Sequence, residues 1–376
     1  MSVATYRRPV ERIEVDPPSR PKTVPEIIDV DIHHQTEKVD ELFPYLPRQY
    51  VEQIKDFGGM MPSVGYTNMP GKGSRHDLWA EIDGDVNPGA RVEVCKEKHL
   101  DRYDIDLGVL TGGPYGAAVH ANPDYASAYC RAFNDWTAEN WLSADDRLRG
   151  SIHIAPTDPK LAVEEIDRLG PDPRYIQVMM PAGARMPFGN RHYHPIYEAC
   201  ERHGLPVSCH FGAEGAGIAS APTAAGYPTY YLEMRMARPQ IAQAHVASLI
   251  CEGVFEKYPD FRFLFVEVDT FWLAGLMWHM DQDWKALRDY TPWVKRLPSE
   301  YVRSNIRLGT QPWPNLSTKE DVETYLRWNH ADEVFVFASD YPHWDWDEPS
   351  GLLKGIDEDL RARIFGGTAR ELYGLS

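Results

Sequence analysis

The sequence predicts an α/β fold, a distorted (β/α)8 TIM barrel with loop insertions at the carboxyl face. Three observations predict it: eight short β-rich runs, segments of helical periodicity between most of them, and ionisable residues gathered at the carboxyl ends of several runs. In order, the runs are 26–34 (EIIDVDIHH), 104–112 (DIDLGVLTG), 149–156 (RGSIHIAP), 174–181 (RYIQVMMP), 205–212 (LPVSCHFG), 261–269 (FRFLFVEVD), 304–312 (SNIRLGTQP) and 332–340 (DEVFVFASD). Between them, 123–145, 159–169, 194–204, 237–258 and 319–331 carry apolar residues at helical spacing. Strands that alternate with helices make a parallel sheet, and eight such units close it into a barrel. An open doubly wound sheet is the alternative.

The chain has 376 residues, of which 43% are hydrophobic and 25% charged, so it is a folded chain rather than a disordered or coiled-coil one. Residues 1–25 are polar and Pro-rich and read as an extended N-terminal arm, lying over the surface or reaching to a neighbouring subunit. Residues 26–376 read as a single barrel domain. Two stretches exceed ordinary connections, 57–90 (rich in Gly, Pro and Asn) and 213–235 (rich in Gly, Ala and Tyr). Both follow a strand's carboxyl end and read as lid-like insertions, with surface decoration as the alternative. The 39 Lys and Arg against 56 Asp and Glu give a net charge of −17 with no basic stripe, which argues against nucleic acid as a partner. No stretch approaches the roughly 20 apolar residues of a membrane span, and the N-terminus lacks the apolar core of a signal peptide. Five cysteines without CxxC spacing suit a reducing compartment as free, mostly buried thiols. The expectation is a cytoplasmic protein.

The chemistry lies where acids and imidazoles interrupt the apolar runs. In the first run Ile28, Val30 and Ile32 alternate with Asp29, Asp31 and His33, which period-two geometry sets on one face. The fifth run ends near His210, the sixth in Glu267 and Asp269, the eighth in Asp340. In a parallel barrel these ends converge on one mouth. Several carboxylates buried together call for a cation, and His with Asp or Glu is a ligand set for a divalent metal. Other histidines weigh differently. His343, just after the eighth run, suits either substrate orientation or a solvent-exposed loop. His153 and His245 fit buried, hydrogen-bonded roles, and the His192/His194 pair fits loop structure. Trp344, Trp346, Phe271 and Trp272 could wall an apolar pocket or simply pack.

The run IIDVDIHH, the segment LPVSCHFG, the stretch GVFEKYPDFRFLFVEVDTFWLAGLMWHMD, and FASDYPHWD with the terminal RIFGGTARELYGL resemble the second amidohydrolase family. That group contains aminocarboxymuconate semialdehyde decarboxylase and the resorcylate decarboxylases. The resemblance covers most of the chain from about residue 26. It implies a distorted TIM barrel with one or two divalent ions at its mouth, catalysing hydrolysis or non-oxidative decarboxylation. By position it implies Asp31, His33, His210 and Asp340 as metal ligands, with Glu267 as a fifth ligand or a base and Asp340 as the central proton acceptor. The sequence departs from the family pattern twice: position 35 is Gln, and the sixth run carries Glu267 and Asp269 where many decarboxylases have a catalytic His followed by Gly.

The expected function is a metal-dependent hydrolase or lyase acting on a small carboxylate, amide or lactone, with Asp340, Glu267 and His343 as its catalytic residues. Zinc is the leading metal, with manganese or iron as the other candidates. Some proteins resembling this family are iron or manganese oxygenase components. The alternatives are therefore a monooxygenase component working with ferredoxin, reductase and a paired subunit, and a catalytically silent subunit of such a complex. The arm suits a homo- or hetero-oligomer with a related barrel subunit.

Overall fold

The computed structural model describes residues 26–59, 61–64, 73–75, 77–78 and 87–375. The arm at 1–25 and most of the 57–90 insertion lie outside the described residues. Eight parallel strands follow one another in chain order: β1 (Ile28–Ile32), β2 (Leu107–Leu110), β3 (Leu148–His153), β4 (Tyr175–Pro181), β5 (Val207–His210), β6 (Phe263–Val266), β7 (Ile306–Gly309) and β8 (Phe335–Val336). Each falls inside one of the eight predicted runs or overlaps it closely. The ring is brought together between β8 and β1, where Val30 N donates to Phe337 O (3.0 Å), Asp340 N donates to Asp31 O (3.1 Å), and Ile32 bridges Tyr341. This is the TIM-barrel arrangement. β8 is short because the residues just before it, Ala331–Val334, form a helical turn.

All eight strands are buried along their whole length, as expected of a parallel sheet covered on both faces. Two cores result. Ile28, Val30, Val109, Leu264 and Val336 pack with Leu372 and Tyr373 of the C-terminal helix Thr368–Tyr373. Tyr373 Oη donates to Gln177 Oε1 (2.9 Å), so the chain end is hydrogen-bonded into β4. A second, larger core holds the helices against the barrel, including Pro123–Asn140, Pro159–Leu169, His194–His203 and Arg238–Cys251. Asn122 and Asp158 cap two of these, accepting from Tyr125 N and from Lys160 N and Leu161 N. The five cysteines are free thiols, four buried and Cys251 exposed. Among the described residues no helix is long and apolar enough to cross a membrane.

One expectation is corrected. Asp29 does not share a face with Asp31 and His33, because the β1–β2 register shifts between Asp29 and Ile32. A bulge of this kind changes the parity of the side chains beyond it. Ile28 and Val30 join the core that packs on the C-terminal helix, and Ile32 joins the larger one. Asp29 instead accepts from His99 Nε2 (2.7 Å), Ser339 N (2.9 Å), Ser339 Oγ (2.6 Å) and Asp31 N (3.1 Å). It braces β1 against the segment that carries Asp340.

Candidate metal centre

The chain turns sharply as it leaves β6 and β8. Glu267, Asp269 and Asp340 adopt φ values of 56°, 60° and 63°. Non-glycine residues seldom occupy this left-handed region, and its use at strand ends is the kind of strain that accompanies functional sites. Asp340 and Glu267 are thereby brought beside His33 and His210. Asp269 stays apart: its backbone carbonyl accepts from Trp272 Nε1 (2.8 Å), and it joins neither donor group below.

Asp31, His33, His210 and Asp340 each offer a donor atom, all within 4.8 Å of one another. Three acceptors converge on His33 Nε2: His210 Nε2 at 3.0 Å, Asp340 Oδ1 at 3.1 Å and Asp31 Oδ1 at 3.3 Å. A single N–H cannot satisfy all three. The second oxygens of Asp31 and Asp340 are buried and have no hydrogen-bond partner among the described residues. His210 Nδ1 donates to Phe211 O (2.6 Å), which orients the ring and leaves Nε2 as the nitrogen that faces the cluster. Thr111 Oγ1 donates to Asp31 Oδ1 (2.5 Å). Tyr115 stacks on His210 at 5.1 Å. Orphaned carboxylate oxygens, a locked imidazole and a hydrogen-bonded ligand aspartate fit a divalent cation.

The electrostatics agree. Burial opposes charge on Asp31, yet His210 and His33 hold its carboxyl far below the usual range. Burial likewise opposes charge on Asp340, but His343 and His33 bring it down to about 2. His33 is pushed well above the ordinary imidazole value by Asp31 and Asp340 despite its burial. Burial raises Glu267, and Arg238 pulls in the other direction.

A second group of four donors shares two members with the first: His33, Glu267, Asp340 and His343, again within 4.8 Å. His343 Nδ1 lies 2.5 Å from Asp340 Oδ1, and its ring sits 4.1 Å from that of His33. Glu267 Oε2 is 3.5 Å from His210 Nε2, while Oε1 is paired with Arg238.

All residues expected at the centre are therefore brought together: Asp31, His33, His210, Glu267, Asp340 and His343. The others divide as their positions suggest. His245 is buried and satisfied, donating through Nε2 to Ala182 O (2.9 Å) and accepting from Phe188 N (3.2 Å), and burial lowers it to about 4. His153 is buried and joins neither donor group. His192 donates to Pro156 O (3.1 Å), and His194 belongs to neither group. Trp272 and Trp346 pack, the latter beneath Arg75 at 3.7 Å, whereas Phe271 and Trp344 are exposed. A cavity of about 370 Å³, lined by Met186, Glu214, Ile241 and His245 among others, includes none of the cluster residues. Sequence reasoning missed Arg238, Tyr115 and Thr111. Arg238 opens a helix after a long loop, and no local pattern reveals that such a residue reaches the barrel mouth.

A barrel with imidazoles and carboxylates converging at the carboxyl ends of β1, β5, β6 and β8 defines the class of metal-dependent barrel proteins. Residues 28–375 match the Amidohydrolase family, in its second group, and the chain belongs to it. No curated protein sequence matches the chain significantly. Among solved structures it is similar to an amidohydrolase from Mycobacterium avium subsp. paratuberculosis at 20% identity (TM-score 0.69, covering 93% of this chain and 99% of the other). It is similar to a dihydroxybenzoic acid decarboxylase from a Polaromonas species, solved with manganese and 2-nitroresorcinol, at 17% identity (TM-score 0.65, covering 94% and 98%). A third similar structure is 5-carboxyvanillate decarboxylase from Sphingomonas paucimobilis, at 19% identity (TM-score 0.63, covering 94% and 100%).

Proposed function

We propose that this protein is a divalent-metal-dependent lyase that removes a carboxyl group from a small aromatic acid without oxidation. Asp31, His33, His210 and Asp340 hold the ion. The observation that carries the metal is the pair of orphaned buried oxygens, Asp31 Oδ2 and Asp340 Oδ2, beside two imidazole nitrogens 3.0 Å apart. The substrate class is supported by the similar structures, two of which are decarboxylases of aromatic acids. Two aspartates with two imidazoles suit manganese as well as zinc, and the decarboxylase from Polaromonas contains manganese. Manganese is therefore preferred here over the zinc that the sequence alone favours.

When bound, the ion supplies a Lewis acid that polarises a substrate oxygen. The chain supplies the rest. Decarboxylation needs a proton for the ring carbon that loses its carboxyl group, and Glu267 stands where many relatives of this family carry a histidine. Burial pushes the Glu267 carboxyl above its ordinary value against the pull of Arg238, which is the direction a general acid needs. Asp340 and His343, in contact at 2.5 Å, can pass a proton between them and return it to the mouth. Hydrolysis would use the same groups, with Asp340 taking a proton from water.

A second reading has one observation in its favour. Glu267 and His343 complete a second set of donors that shares His33 and Asp340 with the first, so these residues would offer ligands for a second ion. His33 could serve only one of the two ions, since an imidazole nitrogen has a single lone pair. A two-ion centre of iron or manganese would suit the oxygenase component with its paired subunit.

The test is metal analysis of the purified full chain followed by carbon dioxide release from hydroxybenzoates with manganese supplied. One ion per chain and manganese-dependent release are expected. Two iron ions per chain and no release would favour the second reading. No bound ion would refute both.

A further inference from the structure

Apart from the metal centre, the chain leaving β4, the 213–235 loop and the first half of the helix Arg238–Cys251 line a cavity of about 370 Å³. Main-chain bonds bring two of these elements together. Ala182 N donates to His210 O (2.7 Å) and Gly183 N to Gly212 O (3.0 Å), so the exits of β4 and β5 run side by side. Residues 220–224 form a further wall, held by a tight turn in which Thr223 and Gly226 exchange backbone hydrogen bonds of 3.3 and 3.0 Å. The lining is mainly apolar, with Ala182, Met186, Pro187, Ile241 and Ala244 among its residues. None of the six residues of the metal centre takes part in it.

One acid interrupts this lining. Glu214 is 2% exposed, and its carboxyl is hydrogen-bonded by the main chain alone, with Gly212 N at 2.6 Å. It forms no ion pair among the described residues. Burial pushes its carboxyl up to about 7; main-chain hydrogen bonds and the charge of Arg238 pull it down, and Glu267 adds to the rise. His245, the other titratable group in the lining, brings no counter-charge, because both ring nitrogens are engaged and burial lowers it to about 4. A carboxylate sunk in an apolar wall is costly unless a cation pairs with it, and a chain of net charge −17 draws cations. An apolar cavity of this size with a single polar anchor has the dimensions and chemistry of a small-molecule site.

We propose that this cavity is a second binding site, distinct from the metal centre, for a small amine with an apolar body. The ammonium group pairs with Glu214, and the body lies against Met186 and Ile241. An anion would meet the repulsion of Glu214, and a neutral molecule would leave its charge uncompensated. The site does not depend on an ion at the barrel mouth.

The experiment titrates the full chain with benzylamine and with its neutral counterpart benzyl alcohol, followed by ligand-observed NMR at pH 8, where benzylamine is a cation and Glu214 is ionised. Wild type should bind benzylamine at least about tenfold tighter than benzyl alcohol. Glu214→Gln keeps an acceptor for Gly212 N and removes the charge, so benzylamine should fall to the affinity of benzyl alcohol. Ala244→Phe fills the cavity from an exposed helix position and should weaken both probes. A preference for the amine that survives Glu214→Gln overturns the proposal, as does wild-type binding of both probes by Ala244→Phe. Repeating the titration with saturating manganese separates this site from the barrel mouth. Benzylamine affinity should stay within about threefold, and a larger change would place the amine at the metal centre and overturn the assignment.

Discussion

Asp340→Asn isolates the electrostatic part of the centre, because the amide keeps the shape of the carboxylate and removes its charge. Asp340 is fully buried, 3.1 Å from His33 Nε2 and 2.5 Å from His343 Nδ1. Its carboxyl sits at about 2 against an ordinary 3.8. A displacement of nearly two units corresponds to about 2 kcal/mol of net stabilisation of the charged form in the folded protein. The metal-free variant should therefore lose about 2 kcal/mol, a fall of roughly 2–3 °C in melting temperature for a chain of this size. It should remain folded. With manganese the comparison reverses in weight. An ion that binds only the folded state adds about 4 kcal/mol at a thousand times its dissociation constant, and most of that rise should vanish in the variant along with turnover. The assay is a thermal melt of both proteins, metal-stripped and at graded manganese, paired with an ion count per chain. Equal manganese-dependent rises in the two proteins would refute the assignment of Asp340 as a ligand.

Four further outcomes are expected. Because His33 and His210 have raised pKa values in the metal-free protein, the ion must displace their protons, and its affinity should fall between about pH 8 and pH 6 by up to tenfold per unit for each proton released. In the metal-free protein the contribution of His33 is complete below about 6.5 and is lost as pH rises through its folded value, whereas that of Asp340 is complete above 3.8 and lost as pH falls toward about 2. Melting curves from pH 3 to 9 with and without manganese check both, and a metal-induced rise that is the same at pH 6 and pH 8 would contradict them. Asp29→Ala strips acceptors from His99 and Ser339 in a fully buried setting and should cost about 3–5 kcal/mol by urea denaturation. Unchanged stability would show that this brace is dispensable. A Cβ at Gly112 would run into the backbone of His34, so Gly112→Ala should lower stability by about 1–3 kcal/mol and weaken manganese binding through the adjacent His33; a variant with normal manganese affinity would argue against that coupling.

The strand ends were legible because barrel strands are written as short apolar runs, and an acid or imidazole at the end of such a run stands out against it. His210, Glu267 and Asp340 could be picked out on that contrast alone. The bulge in β1 could not, since it depends on how Ile28 and Ile32 register against Leu107 and Leu110 rather than on any property of the run itself. The same holds for the left-handed turns at Glu267 and Asp340, which carry no glycine to announce them. Arg238 was hidden for a different reason: it opens a helix while its partner Glu267 follows β6, and only tertiary packing brings the pair together. Asp269 shows the converse, an acid at the right place in the pattern whose turn carries it away from the cluster.

The barrel is joined along the line between its first strand and its last, and the centre sits on that line. Asp340 N donates to Asp31 O (3.1 Å), and both side chains face the same donor group. A cation held by Asp31, His33 and Asp340 would act as a clasp between two stretches of chain more than three hundred residues apart in sequence. Loop-closure entropy grows slowly with length, so a fastening of such long reach suppresses many open conformations at once. Metal uptake would then report on completion of the ring, with one event marking both the finished fold and the working site. A circular permutant with new ends between β4 and β5 would place β1 and β8 on one continuous stretch and should depend less on the ion for its stability.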